Sequence, residues 1–121
     1  MSSKIKQFCE SLQNEIPGFV GFAIGEVRTG KCVFSQVAND DFDMAYRTVC
    51  NVDFIRAKIN ALRNTGTNEQ IENIIVNLET QFHVFDLTPD NQFFFYIVVN
   101  KNKTNLAIVI KKLAKCKDLM N

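Results

Sequence analysis

The sequence predicts a three-layer α/β/α domain of the α+β class, in which helices cover both faces of a five-stranded antiparallel sheet. Helix-type and strand-type hydrophobic patterns follow one another in the order α-β-β-α-β-β-β-α. The connections between neighbouring strands are short, which favours antiparallel pairing. Strands that are apolar on both sides need helices on both faces of the sheet. All 121 residues are expected to form a single domain.

The first three predicted elements are an amphipathic helix and a hairpin. Apolar residues recur at helical spacing from about Ser3 to Glu15, and Pro17-Gly18 ends this helix. A strand follows over Phe19 to Val27, then a turn at Arg28-Thr29-Gly30 and a second strand over Lys31 to Val37. Alternation along the first strand places Val20, Phe22 and Ile24 on one face, and Phe19, Gly21, Ala23 and Gly25 on the other. The small residues of the second face predict that a helix packs close to it.

The segment from about Phe42 to Arg63 predicts a helix that is apolar on two nearly opposite sides. One stripe comprises Val52, Ile55, Ile59 and Leu62. The other comprises Tyr46, Cys50, Phe54, Ala57 and Ala61. A helix that covers one sheet needs only one apolar stripe, so the second needs its own cover, and a copy of the same chain is the simplest candidate. The acidic residues before this helix are expected to act as caps rather than as metal ligands; they are Asp40, Asp41 and Asp43.

The rest of the chain predicts three strands and a last helix. Strand-forming residues are dense over Ile71–Leu78, Gln81–Leu87 and Gln92–Val99. The first two of these runs are alternatively one long bent strand, whereas Thr88-Pro89-Asp90-Asn91 marks the last turn clearly. The run from Phe93 to Val99 is apolar on both faces and predicts a central strand. The last helix begins at about Thr104, and its late lysines suit the negative end of the helix dipole.

Composition narrows the class of protein. A net charge of +1 gives no concentrated positive field, so we expect no nucleic-acid partner and no membrane partner. No apolar run is long enough for a membrane helix, and the polar N-terminus does not resemble a signal peptide, which predicts a cytoplasmic protein. The four cysteines are widely spaced, so they are expected to be reduced and to act as small apolar residues.

No constellation of residues predicts an enzyme, a cofactor or a metal site. The segment from Gly25 to Cys32 nearly matches a phosphate-binding loop, but the alternation that follows it indicates a strand rather than a helix, and therefore a hairpin turn. His83 is the only histidine and is expected to be a packed or half-exposed structural residue. Phe94 and Tyr96 are expected in the core rather than as a base-stacking platform. The carboxylates of Glu79, Asp86 and Asp90 are expected in solvated turns.

The chain resembles the Roadblock/dynein light chain family over nearly its whole length. The matching pieces are the helix before Pro17-Gly18-Phe19-Val20-Gly21, the strand and turn around Arg28-Thr29-Gly30-Lys31-Cys32-Val33, the long middle helix, the three-strand meander, and Asn105-Leu106-Ala107 at the start of the last helix. The resemblance implies a Roadblock/profilin-like fold.

The resemblance also implies a non-enzymatic function. Members of that family form dimers in which the middle helices pack together and the edge strands that follow them pair. They serve as platforms for dynein or as scaffolds and regulators of small Ras-like GTPases. The implied dimer interface comprises Tyr46, Cys50, Phe54, Ala57, Ala61, Ile71 and Ile75. The alternatives are a secretion-chaperone-like dimer that binds extended clients and a profilin- or sensor-type domain that holds a small ligand beside the sheet.

Overall fold

Three helices and five strands form in the predicted order. A computed structural model describes residues 2–120. Its elements are α1 Ser3–Glu15, β1 Phe19–Glu26, β2 Cys32–Val37, α2 Met44–Asn64, β3 Ile74–Asn77, β4 Gln81–Leu87, β5 Phe93–Asn100 and α3 Leu106–Met120. Two helix starts are fixed by side-chain caps, because Ser2 Oγ accepts the Ile5 N–H and Asp43 Oδ1 accepts the Tyr46 N–H at 3.0 Å. The capping role predicted for Asp43 is therefore confirmed.

The sheet has the strand order β2-β1-β5-β4-β3, and every pair in it is antiparallel. β5 is central, and its residues from Phe94 to Val99 are fully buried, as predicted for a strand covered on both faces. Helices α1 and α3 pack on one face of the sheet, and α2 packs on the other. The predicted three-layer α/β/α architecture is confirmed.

The layer of α1 and α3 is a continuous apolar core. Ile5, Cys9 and Leu12 of α1 and Leu113 and Cys116 of α3 are buried against the sheet. All four cysteines are free; Cys9 and Cys116 act as small core residues, as predicted, whereas Cys50 is exposed.

The layer of α2 depends on the small residues of β1. A Cβ added at Gly21 would lie 2.7 Å from Met44 Cγ, and one added at Gly25 would lie 2.5 Å from Phe94 Cζ and 2.7 Å from Thr48 Cγ2. Real side chains do not approach so closely, so these positions let α2 lie near the strand. The predicted close approach of a helix to this face is confirmed.

Three predictions of detail are wrong. The register of β1 against β5 shifts between Phe19 and Gly21, so Phe19 packs in the core of the α1–α3 layer and Val20 packs on the α2 side, opposite to the predicted faces. β3 is four residues long, shorter than the predicted run from Ile71 to Leu78. Asp86 is not in a solvated turn: it lies within β4, almost fully buried, with its Oδ1 atom 3.0 Å from Lys117 Nζ of α3.

Candidate self-association surface

The two faces of the sheet are covered unequally. Five strands spaced about 4.8 Å apart span roughly 19 Å, whereas one helix is roughly 10 Å wide and covers about two strands. Two helices lie on one face, but on the other α2 packs mainly on β1 and β2. The β4–β3 half of the α2 face therefore has only partial cover, and its side chains Ile74, Val76 and His83 are half-buried.

The side of α2 that points away from the sheet carries apolar side chains in contact with solvent. Tyr46 is 66% exposed, Val49 52% and Phe54 40%. Cys50, Ala57 and Ala61 are also exposed, whereas Met44, Val52 and Ile55 on the opposite side are buried. The two-sided pattern of this helix is thus present in the structure. Two exposed alanines one helical turn apart leave room for another backbone to approach closely.

Contacts fix the direction of each flank of α2. The Phe54 ring meets the Phe85 ring of β4 edge-on, with centroids 5.4 Å apart. On the other flank, Arg56 donates from Nε to the Val27 carbonyl oxygen at 2.7 Å and also bonds the Arg28 carbonyl, which fixes the turn between β1 and β2. Phe54 therefore lies at the corner between α2 and the partly covered half of the sheet.

β3 forms the edge of the sheet in this partly covered half. Ile74 pairs with Phe85 and Val76 with His83, so Ile74 and Val76 point to the α2 side. Ile75 pairs with Val84 and points to the α1–α3 side, where it is 38% exposed. The strand pairs only with β4, so the backbone groups on its outer edge have no strand partner in residues 2–120.

A polar groove lies between the first half of α2 and strands β4 and β5. It is lined by Asp41, Asp43, Tyr46, Arg47, Cys50, Asn51, His83 and Tyr96. His83 Nε2 lies 3.1 Å from Gln81 Oε1, and His83 Nδ1 lies 3.3 Å from the Tyr96 hydroxyl. The Arg47 guanidinium stacks over the Phe42 ring, with Cζ 3.9 Å from the ring centroid, and it forms no ion pair with any described residue.

The electrostatics of the groove disfavour additional positive charge. Burial lowers the pKa of His83, and the positive charge of Arg47 lowers it further. Burial raises the pKa of Tyr96, so its hydroxyl keeps its proton at neutral pH. The groove therefore holds a neutral imidazole and a neutral phenol, and its lining also includes the Arg47 guanidinium and the carboxylates of Asp41 and Asp43.

The structure brings most of the predicted interface residues together. Tyr46, Cys50, Phe54, Ala57 and Ala61 form one exposed stripe. Ile71 lies at the far end of α2, where it lines a depression with Ile59 and Leu62. The side chain of Ile75 is not part of this surface, because alternation along β3 directs it to the other layer.

Two features of the surface were missed by sequence reasoning. Val49 is exposed beside the stripe, and helical spacing from Tyr46 gives a signal for it. The polar groove gives no such signal, because Arg47 and His83 are 36 positions apart in the sequence and meet only through the tertiary fold.

Residues 2–120 hold no cluster of three or more histidine, cysteine, aspartate or glutamate side chains able to bind a metal ion. The segment from Gly25 to Cys32 is the turn of the β1–β2 hairpin, with Gly30 at φ +78°, and not the start of a helix. Phe94 and Tyr96 are core residues, as predicted. None of the described helices is both long and apolar enough to cross a bilayer.

Comparison of the backbone with solved structures identifies the fold. MglB of Myxococcus xanthus superposes with a TM-score of 0.80 at 14% identity, over 96% of this chain and 90% of that one. A Roadblock/LC7 domain from Streptomyces avermitilis gives a TM-score of 0.79 at 10% identity, over 95% and 97%. This chain has the Roadblock fold. The gliding protein MglB of Thermus thermophilus also superposes, with a TM-score of 0.71 at 11% identity over 98% of this chain and 93% of that one.

The Roadblock likeness rests on structure alone. No protein-family model matches the sequence, and no curated protein matches it. The resemblance inferred from the order of the elements is thus confirmed as a Roadblock fold.

Proposed function

We propose that this Roadblock-fold chain is a non-enzymatic, cytoplasmic homodimer that acts as a scaffold or regulator of a partner protein, and that the partner is a small Ras-like GTPase. The observation that carries the proposal is the uncovered apolar stripe of α2 beside the half-covered β4–β3 face. A second copy supplies the helix that this face lacks. Solved neighbours with the same fold include the gliding protein MglB and an MglB with a tetrameric arrangement.

The apolar stripe gives the driving force for association. Full burial of a Tyr or Phe side chain is worth about 1.5–3 kcal/mol. Tyr46 is 66% exposed and Phe54 40% exposed in one subunit. Covering both side chains is therefore worth roughly 2 kcal/mol per subunit, before the cost of association. A symmetric dimer covers two such pairs, so the stabilisation is doubled. The outer edge of β3 allows strand pairing between the two copies, and Ile75 then lies near the seam through its backbone.

A charge on the stripe tests the dimer. Ala57 is exposed, so Ala57→Glu is expected to leave the subunit folded. In the dimer it buries two carboxylates, each at a cost of several kcal/mol. The expected result by multi-angle light scattering is a folded monomer. Val33→Glu is the matched control, because Val33 is another exposed apolar residue (40% exposed) but lies on β2, at the opposite edge of the sheet. A dimer mass for Ala57→Glu would contradict this interface.

The partner class is tested separately by affinity capture. The immobilised wild-type chain is incubated with cytosol supplemented with either GDP or a non-hydrolysable GTP analogue. We expect a small Ras-like GTPase to be retained in one nucleotide state more than in the other. Retention of no such GTPase in either state would refute the partner and leave the dimer untouched.

The core gives no support to the sensor-type alternative. A sensor-type domain needs space between the sheet and a helix for its ligand. Both helical layers are instead filled by buried side chains such as Phe22, Phe85, Phe95 and Leu113. A filled core is what a protein-binding platform requires.

A further inference from the structure

The polar groove lies inside the surface to which we assign self-association, and it contains the chain's single histidine. We propose that protonation of His83 weakens self-association, so that the assembled state is favoured at neutral pH and opposed in acid. This inference rests on the proposed function, because it gives the regulation of the same surface.

The hydrogen bonds of His83 hold its ring in one orientation in the groove. The oxygen Oε1 of Gln81 can only accept, so Nε2 carries the hydrogen and donates over 3.1 Å. In the neutral ring, Nδ1 accepts from the Tyr96 hydroxyl over 3.3 Å; in the protonated ring, Nδ1 donates to the hydroxyl oxygen instead. The change needs only rotation of the hydroxyl hydrogen, so the Tyr96 ring stays stacked on Phe85, with centroids 4.6 Å apart. The cost of protonation therefore comes from the surroundings of the ring.

The charged groups around the imidazole come from α2 and from the segment before it. Arg47 of α2 lines the groove and opposes a second cation there. Asp41 and Asp43 favour a cation, but both are exposed, and the carboxylate of Asp43 already caps α2 by accepting the Tyr46 N–H. Tyr46, Cys50 and Tyr96 also line the groove, and the pKa values of Tyr46 and Tyr96 are both raised, so these two phenols are neutral at pH 7. The net effect on His83 disfavours protonation.

A second copy on this surface strengthens that effect. In the isolated subunit His83 is half-buried and water in the groove solvates an imidazolium. When a helix of the second copy covers the groove, this water leaves, while Arg47 stays beside the ring in a less polar medium. A protonated His83 must therefore either release its proton when the two copies associate or keep it and weaken the association. Linkage gives a dissociation constant that rises as pH falls through the lowered pKa of His83 in the free subunit, by up to about tenfold per pH unit for each histidine.

The test is the dissociation constant of the full chain, measured by sedimentation equilibrium between pH 7.5 and pH 5.5. Wild type is expected to dissociate at least about threefold more readily at pH 5.5. His83→Gln keeps a neutral hydrogen-bonding group and is expected to change less than about twofold over the same range. The control is clean because the chain holds no other histidine. NMR titration of the His83 ring protons gives a second readout: the ring is expected to titrate at lower pH in concentrated than in dilute samples.

Each outcome is distinguishable. A wild-type chain that stays monomeric at pH 7.5 removes the proposed function and this inference together. A wild-type dimer with a pH-independent dissociation constant, or with tighter association in acid, overturns the role of His83 alone. If His83→Gln retains the pH dependence of wild type, the role of His83 is also overturned, because another group is then responsible for that dependence.

Discussion

Replacing Lys117 with methionine removes the cation that neutralises a buried carboxylate. Asp86 has a side chain only 5% exposed, and its Oδ1 atom lies 3.0 Å from Lys117 Nζ. Loss of one partner of a buried ion pair typically costs about 3–5 kcal/mol, since the remaining charge is uncompensated. We expect about 3 kcal/mol, the lower end, because the Leu87 N–H still donates to Oδ1 at 2.8 Å and the Lys117 side chain is itself 23% exposed.

The pH dependence of this loss identifies its cause. Burial raises the pKa of Asp86, and the hydrogen bond and charge of Lys117 oppose that rise. In Lys117→Met the pKa is higher still, so the folded protein takes up a proton that the unfolded chain does not. A raised folded-state pKa gives stability that is present at low pH and is lost as pH rises. The cost of the substitution is therefore expected to be at least about 1 kcal/mol smaller at pH 5.0 than at pH 7.5.

Urea unfolding followed by circular dichroism at both pH values measures these costs. Lys112→Met is the matched control: its partner Glu15 is 41% exposed and Lys112 itself 31%, so that loss is expected to stay below about 1 kcal/mol. The double variant Asp86→Asn with Lys117→Met is expected to recover most of the lost stability. A cost for Lys117→Met that equals the control, or that is the same at pH 5.0 and pH 7.5, would refute the assignment of a buried, charged carboxylate.

Two further substitutions test how α2 is held on the sheet. Gly25→Ala is expected to destabilise the fold by about 3 kcal/mol in urea unfolding. The reason is that the new Cβ would lie 2.5 Å from Phe94 and 2.7 Å from Thr48. An unchanged unfolding midpoint would contradict the close approach of α2. Arg56→Met is expected to cost about 1.5–3 kcal/mol through loss of its bond to the Val27 carbonyl. Faster amide exchange confined to the β1–β2 turn would mark the expected local effect, and unaltered exchange there would count against it.

The order of the elements and several local details could be predicted because they depend on neighbouring residues. The acidic cap at Asp43, the break at Pro17-Gly18 and the apolar run of β5 each have a signal within one or two turns of chain. The two stripes of α2 could be predicted for the same reason, since helical periodicity alone sets which side chains share a side. Local sequence thus predicts the surface of α2 but not what lies next to it.

The errors have a common cause in the tertiary fold. The irregularity between Phe19 and Gly21 exchanges the faces of two residues, and the pairing partner β5 is about 80 positions away. Asp86 is buried because α3 places Lys117 over it, 31 positions later. The polar groove likewise needs α2 and β4 to be brought to the same side of the sheet before Arg47 and His83 line one groove. Periodicity cannot report such distant contacts.

In the proposed dimer, the surface made of the α2 stripe and the polar groove combines two properties with different consequences for assembly. Its apolar stripe supplies affinity, but an apolar contact between helices tolerates sliding and rotation because it is non-directional. The polar groove does not tolerate them: Arg47, Asn51 and the His83–Tyr96 pair lose water on burial and each then needs a partner with suitable geometry. A covering helix that slips along the stripe leaves these groups unsatisfied, at a cost of about 1–3 kcal/mol each. In the proposed dimer, the stripe therefore determines whether a second copy associates, and the groove determines its register and the pH dependence that we propose.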